Sequence, residues 1–287
     1  MNSNHTLIGV DLGGTNMRVG LINDGKIVEL NTRKVNKIGT AEDIFNDLVL
    51  MIESMITPHV KGIGIGVPSI VDVQKGIVYD VVNIPQWKEM HLKSLLEDHF
   101  KIPVNVNNDA NCFAAGEKYF GKAQQYHSFI GLIIGTGMGA GIVINDKLYE
   151  GRNCGAGEFG CISYLDKTYE HYCSGQFFFN RYGVSAYDVA QRCLHGDREA
   201  MAMYYEFGKH VGKAIKTILY AYDPEYIVLG GSVSNAFEFF KDGMYESMKS
   251  LLFAKTLGNL KIEVSEIQNI AIYGAASLYY NSLVVAD

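Results

Sequence analysis

The sequence predicts an α/β protein made of two lobes, and three observations carry that prediction. At 287 residues the chain exceeds the ~250 residues at which single hydrophobic cores usually stop growing. Strand and helix signals alternate along it. A strand, glycine turn, strand unit occurs twice, as TLIGVDLGGTNMRVGLIND near the start and as SFIGLIIGTGMGAGIVINDKLYEG from Ser128, each followed by helices and a further strand. The copies are expected to part near residues 115 to 122. This gives an N-terminal lobe over 1–118 and a C-terminal lobe over 119–270, with the last helix, 271–287, folding back on the first.

In order along the first copy, KIVELNTRKV alternates with period two and reads as a third strand. AEDIFNDLVLMIESMITP places Ile44, Leu48, Met51, Ile52 and Met55 on one helical face and ends at Pro58. VKGIGIGVPSIVD reads as one buried strand, and KIPVNVNNDANCFAAGEKYFG as a strand that turns into a helix at Asp109. In the second copy, Phe207, Val211, Ile215, Ile218 and Tyr222 share a helical face that Pro224 stops. EYIVLGGSVS is a late buried strand opening onto a glycine-led helix.

A net charge of −6 argues against nucleic acid or anionic membrane as partners, since both reward basic patches. No apolar stretch reaches the length of a membrane span, and the N-terminus lacks the basic and apolar regions of a signal peptide. A cytoplasmic protein is expected. The five cysteines, Cys112, Cys154, Cys161, Cys173 and Cys193, are odd in number and irregular in spacing, as reduced thiols are.

Three glycine turns carry the chemistry. In DLGGT, Asp11 stands at a strand end and the glycines let a ligand approach backbone N–H groups. A carboxylate there suits a phosphate only through Mg²⁺, and a tight hairpin with a solvated Asp reads the same letters equally well. GTGMGAG, with Thr136 and no acid, offers amides to an outer phosphate. LGGSVS would let an adenosine or ribose rest on backbone, although close helix packing asks for the same glycines. None is of the G-x-x-x-x-G-K-[ST] type.

NNDAN supplies Asn108, Asp109 and Asn111 at a strand-to-helix junction. There Asp109 could take a proton from a hydroxyl oriented by the neighbouring amides. The residues alone favour the other reading, the N-cap of the helix, a common place for Asp. Trp87, the one tryptophan, is expected to be a packing residue at the surface or between lobes.

Taken in order, GVDLGGTNMRVG, GIGVPSIVD, VNNDANCFAAGE, IGTGMGAGIV, GAGEFG and YIVLGGSVS resemble the successive motifs of the ROK family of sugar kinases, within the sugar kinase, heat-shock protein and actin superfamily. The resemblance runs from Ile8 to about Ala276. It implies two ribonuclease H-like (actin-like ATPase) lobes with ATP and sugar in the cleft between them. By motif, Asp11, Gly13, Gly14 and Thr15 resemble the first phosphate loop, with Mg²⁺ near Asp11. Thr136, Gly137 and Gly139 resemble the second loop, and Gly230, Gly231 and Ser232 the nucleotide segment. Asp109 takes the place of the catalytic base, with Asn108 beside it, and Asn83 in VVNIPQW that of a sugar contact.

The family also contains repressors with a helix-turn-helix ahead of the kinase-like body. The few residues before the first strand leave no room for one here, so the chain is expected to resemble the enzyme branch. Where the family has Gly-Glu-x-Gly-His and a cysteine loop for structural zinc, this sequence has GEFGC, so that Cys161 replaces the His, and the loop is missing. Structural zinc is therefore not expected. Cys154, Cys161, His171 and Cys173 are ligand types, but they lack a paired C-x₂₋₄-C knuckle. Glu158 and Glu170 fall on positions where the family holds sugar hydroxyls, and Cys161 on a further sugar contact. The resemblance thus implies ATP- and Mg²⁺-dependent phosphorylation of a hexose, glucose at O6 by default. N-acetylglucosamine, N-acetylmannosamine, fructose or a β-glucoside are alternatives, as is a weakly catalytic sugar sensor. Family members are often dimers or tetramers, and a homo-oligomer, a dimer by default, is expected.

Overall fold

The computed structural model describes residues 5–81 and 84–284. Its contacts divide it into two units, the first running to Gln125 with Leu148–Ala156 and the chain from Ile267, the second comprising Tyr126–Lys147 and Gly157–Glu266.

The first unit holds β1 (Thr6–Leu12), β2 (Asn16–Asn23), β3 (Lys26–Lys34), α1 (Ala41–Glu53), β4 (Val60–Val67), β5 (Ile70–Asp72), β6 (Ile77–Tyr79), β7 (Glu89–Met90), α2 (Leu92–Phe100), β8 (Val104–Asn108) and α3 (Asp109–Tyr119). Its main sheet has the order β3-β2-β1-β4-β8. The first three strands form an antiparallel meander, and β4 and β8 run parallel to β1. Ile8, Val10 and Leu12 of β1 are buried with Ile63, Ile65 and Val67 of β4 and with Leu48 and Ile52 of α1. Helix α1 begins at a capping box in which Thr40 and Asp43 satisfy each other's backbone amides. It stops at Glu53, short of Pro58, and Ser54 Oγ donates to the Met51 carbonyl just past the end. The segment read as one strand through Asp72 breaks after Val67. Pro68 has no N–H to continue the ladder, and the Ser69 N–H turns back to the Val67 carbonyl at 2.9 Å. Ile70–Asp72 then pairs with β6 in a separate three-stranded sheet. Trp87 is neither superficial nor between lobes. It lies fully buried in the first unit's own core, where Nε1 donates to the Ala41 carbonyl at 3.1 Å.

The second unit holds β9 (Phe129–Ile134), β10 (Met138–Ile144), β11 (Lys147–Leu148), β12 (Ser163–Tyr164), β13 (Lys167–Thr168), α4 (Tyr169–Cys173), α5 (Gln176–Tyr182), α6 (Ala186–Leu194), α7 (Arg198–Tyr222), β14 (Tyr226–Gly230), α8 (Phe237–Met248), α9 (Ala254–Asn259) and β15 (Lys261–Val264). The sheet order β11-β10-β9-β14-β15 repeats that of the first unit, with β9 and β10 antiparallel and β14 and β15 parallel to β9. Phe207, Val211, Ile215 and Ile218 are buried along α7, which ends at Asp223 in the left-handed region. The last helix, α10 (Ile270–Val284), lies in the first unit, where Ile272, Ala275 and Ala276 are buried and α10 contacts β1, β4 and α3. Among the described residues no helix is long and apolar enough to cross a membrane.

Candidate active site

In the first unit three parallel strands, β1, β4 and β8, end at one edge of the sheet, the side on which open α/β sheets place ligands. The register sets Asp11 opposite Gly66, Gly66 opposite Asn107 and Val67 opposite Asn108. Asp11 and the Asn107–Asp109 segment therefore reach the same edge. Asp11 is buried, and its Oδ2 accepts a charge-assisted bond from Arg18, its opposite partner on β2. Arg18 Nη1 reaches Asn269 Oδ1 at 3.2 Å. The turn that follows is closed by the Gly13 N–H on the Asn16 carbonyl at 3.0 Å, with Gly14 half-buried and Thr15 exposed.

The N-cap of α3 is Asn108 and not Asp109, because Asn108 has extended backbone and its Oδ1 accepts from the Ala110 N–H at 2.8 Å. Asn108 Nδ2 donates to the Ser69 carbonyl at 3.2 Å. Asp109 is the half-buried first residue of the helix, and its Oδ1 also meets the Ala110 N–H at 2.9 Å. Beneath it, the fully buried Cys112 thiol is pushed well up, first by burial and then by the carboxylates of Asp109 and Asp11. It stays a neutral part of the floor. Asn83 lies outside the described residues.

Sequence reasoning missed a buried network behind this edge. Asn107, only 1% exposed, donates through Nδ2 to Glu150 Oε1 at 2.5 Å. Its Oδ1 accepts from Asn111 Nδ2 at 2.9 Å, from Cys154 Sγ at 3.2 Å and from the Asn108 N–H at 2.8 Å. Burial raises the Glu150 carboxyl above the usual range, and the Asn107 amide partly offsets it. No local signal marked the network, because Asn107 falls in the phase of Asn105 and not in that of the buried Val104 and Val106, and only the fold shows that it must find partners.

In the second unit the glycine turn between β9 and β10 is strapped by the segment 170–176. The Gly135 N–H closes on the Gly137 carbonyl at 3.0 Å, and the Gly175 N–H donates to the Gly135 carbonyl at 2.8 Å. Glu170 Oε2 accepts from the Met138 N–H at 3.1 Å. Gln176 Nε2 donates to the Thr136 carbonyl at 3.2 Å and to Glu170 Oε1 at 3.4 Å. Thr136 is exposed at the tip, while Gly139 lies inside β10, opposite Ile133. The parallel register of Ile133 with Gly230 brings the end of β14 to the same edge. Gly231 follows with φ of +86°, and a Cβ there would sit 2.4 Å from the Ile134 carbonyl oxygen, so only glycine fits. The next element is a 3-10 turn over Ser232–Ala236, and α8 starts only after it.

Glu158, Cys161 and Glu170 gather nearby in this unit. Burial and then the Glu170 carboxylate raise the Glu158 carboxyl, and the exposed Cys161 Sγ lies 3.9 Å from Glu158 Oε2. The Cys161 thiol is raised by burial and by both carboxylates, so it is a neutral donor. Cys154 belongs to the first unit and Cys173 is fully buried. Among the described residues no three His, Cys, Asp or Glu side chains are grouped to hold a metal. Aromatic contacts hold the segment from 163 to 173. Tyr164 stacks on Tyr169 at 4.5 Å between ring centres, Tyr164 Oη meets His210 Nδ1 at 3.1 Å, and Tyr169 Oη meets Thr217 Oγ1 at 2.8 Å.

Two five-stranded sheets of one order, each with glycine turns at the ligand edge, define the two-lobe actin-like ATPase class built of ribonuclease H-like units. Residues 7–282 match the model of the ROK family, and the chain belongs to that family. It is 28% identical over 305 residues to a glucokinase of Thermotoga maritima, with 95% of this chain and 96% of that one covered. It is 27% identical over 303 residues to a xylose repressor of Caldicellulosiruptor bescii, with 93% of this chain and 76% of that one covered. Its structure is similar to that of a ROK family glucokinase from Streptomyces griseus in complex with glucose and AMPPNP. The TM-score there is 0.81 and the identity 27%, with 95% and 98% of the two chains covered.

Proposed function

We propose that this chain, a ROK-family sugar kinase, transfers the γ-phosphoryl group of ATP to a hexose hydroxyl, O6 of glucose or of a related hexose, with Asp109 as general base. The observation that carries the reading is the edge of the first sheet. Strand register delivers two carboxylates there, Asp11 and Asp109, while Asn108 takes over the helix cap.

Asp109 accepts the hydroxyl proton as the sugar oxygen bonds to phosphorus and the bond from phosphorus to the β-phosphate oxygen breaks, releasing ADP. Asn83, Asn108, Glu158, Cys161 and Glu170 orient the sugar, the two glutamates each accepting from hydroxyls and the Cys161 thiol donating. The turns at Gly13–Thr15 and Thr136–Gly139 offer N–H and hydroxyl donors to phosphate oxygens. Gly230, Gly231 and Ser232 present bare backbone to the nucleoside. What fits a nucleotide with Mg²⁺ is the Asp11 carboxylate at the strand end. Arg18 takes only Oδ2 of Asp11, leaving Oδ1 without a partner among the described residues. Bound Mg²⁺ would neutralise charge on the phosphates.

The similarity to a repressor supports a second reading, a sugar-responsive binding protein that turns over feebly. ADP release across a panel of hexoses separates the two. Turnover raised at least tenfold above background hydrolysis by one sugar is expected. A sugar that shifts the melting temperature while none stimulates ADP release would favour the binding protein.

A further inference from the structure

The buried Asn107 amide clamps the chain on both sides of Asp109. Its Oδ1 accepts from the Asn108 N–H at 2.8 Å, from Asn111 Nδ2 at 2.9 Å and from Cys154 Sγ at 3.2 Å. Asn108 is the cap of α3 and Asn111 lies in its first turn, with Asp109 between them. Only 1% of Asn107 is exposed, so water does little to orient the amide. Turned over, it would set its NH2 group against the Asn108 N–H, which can only donate.

Glu150, which the roles assigned above leave unused, fixes that orientation. Its Oε1 accepts from Asn107 Nδ2 at 2.5 Å, with the carboxyl charged or with its proton on Oε2. Burial raises the Cys154 thiol, which therefore keeps the proton it donates. Glu150 and Cys154 both come from the stretch Leu148–Ala156, which packs with the first unit although the residues on either side of it belong to the second. The Cys112 thiol is raised first by burial and then by Asp109, Asp11, Cys154 and Glu150. Base and clamp thus lie within electrostatic reach of one buried sulfur.

We propose that Glu150, acting through Asn107, is a positioning residue for Asp109. By fixing the Asn107 amide it sets the backbone at Asn108 and the first turn of α3, and so the direction from which the Asp109 carboxylate meets the sugar hydroxyl. This rests on the kinase reading, which makes Asp109 the base.

The test is a double-mutant cycle in the full chain, on the hexose that gives the highest turnover. kcat, KM for ATP and for sugar, and melting temperature are measured for the parent, Glu150→Leu, Glu150→Gln, Asp109→Asn and Glu150→Leu/Asp109→Asn. Leu deletes the acceptor, whereas Gln keeps a carbonyl oxygen in its place. Glu150→Leu is expected to lower kcat by about tenfold or more, since a misplacement of ~1 Å can cost ~10²-fold, with KM for ATP held within about twofold. Gln should restore kcat to within about threefold of the parent. In the Asp109→Asn background the same Leu change should cost less than about twofold, because a base already absent cannot be misdirected.

A Leu variant at parental kcat, a Gln variant as slow as Leu, or equal Leu losses in both backgrounds overturns the positioning role and leaves the kinase reading standing. If Glu150→Leu does not fold, Cys154→Ala, which removes one donor from Asn107 Oδ1, replaces it in the same cycle with a loss of about threefold expected. Parental kcat in Asp109→Asn, or no turnover of any sugar, overturns the kinase reading and the positioning role with it.

Discussion

The two units share a sheet order but arm it differently. At the edge of the first sheet the parallel strands deliver Asp11 and Asp109, backed by buried amides. At the edge of the second they deliver two acid-free glycine turns, and the nearby carboxylate Glu170 faces backbone, bracing the Met138 N–H. One scaffold thus sets two carboxylates, Asp11 and Asp109, at the strand ends of one copy and none at the ends of β9 and β14 in the other. On the proposed reading this would divide general-base work from charge stabilisation, because strand ends set position while the turn sequence sets chemistry.

The strongest way to break this division is Asp109→Asn. It keeps the side-chain shape and leaves the Asn108 cap in place, so the melting temperature should stay within about 2 °C of the parent, a loss below ~1 kcal/mol. We expect kcat to fall by a factor on the order of 10² or more, with sugar binding by calorimetry largely kept. Near-parental kcat would remove the base from the first unit and with it the contrast.

Gly137→Ala tests the other side. The new Cβ would lie 2.5 Å from Glu170 Oε2, and a side-chain terminus can yield where a backbone oxygen cannot. The carboxylate should swing off the Met138 N–H and loosen the turn. KM for ATP is expected to rise about tenfold, the order that losing one or two charge-assisted bonds implies, with a melting temperature little changed. Unaltered KM for ATP would mean that the braced turn does not meet the nucleotide.

How much of this was legible in the sequence follows from the same contrast. Strand, glycine turn, strand is a local pattern, so the duplication and the positions of Asp11 and Thr136 could be read directly. That Asn108 caps α3 and leaves Asp109 as the first helical residue is a shift of one position, which propensity does not resolve, since Asn and Asp cap equally well. Arg18 was visible as a letter, but its pairing with Asp11 depends on hairpin register. Glu150 and Asn107 stand 43 residues apart, and nothing local joins them. Trp87 was misplaced because a lone aromatic between Pro85-Gln86 and Lys88-Glu89 carries no periodicity to say which face it covers.

Glu158→Gln is expected to act at a smaller scale and with a defined pH dependence. Burial and Glu170 raise its carboxyl, so as pH falls the accepting carboxylate is lost above the usual range near ~4.3. The acid limb of kcat/KM for sugar should sit correspondingly high in the parent, and the variant should lose about tenfold at neutral pH and flatten that limb. The stability sign is opposite. A raised folded-state pKa means that the folded chain binds the proton more tightly, so the charged form disfavours folding at neutral pH and the penalty disappears as pH falls through the raised value. The variant should therefore melt higher than the parent at pH 8 and lose that advantage in acid. A variant with parental sugar kinetics would remove Glu158 from the acceptor set.

The smallest effect expected is at Tyr164, where the second unit differs from the first in what holds a polar loop. Amides and a thiol do so around Asn107, and stacked tyrosines do so here. Burial lowers the pKa of His210, so at pH 7 the ring is neutral and Nδ1 can accept from the Tyr164 hydroxyl. Tyr164→Phe keeps the ring stack and deletes this bond, worth about 0.5–1.5 kcal/mol, or a drop of ~1–6 °C in melting temperature for a domain of this size. Because the folded pKa of His210 is depressed, the neutral ring's contribution is lost as pH falls below the unfolded value of ~6.5. Both proteins share that loss, and the gap between them narrows only at lower pH still, where the folded ring itself protonates and Nδ1 can no longer accept. Chelator should move neither protein's melting temperature, and a large drop with chelator alone would show that a metal, not the aromatic stack, secures this loop.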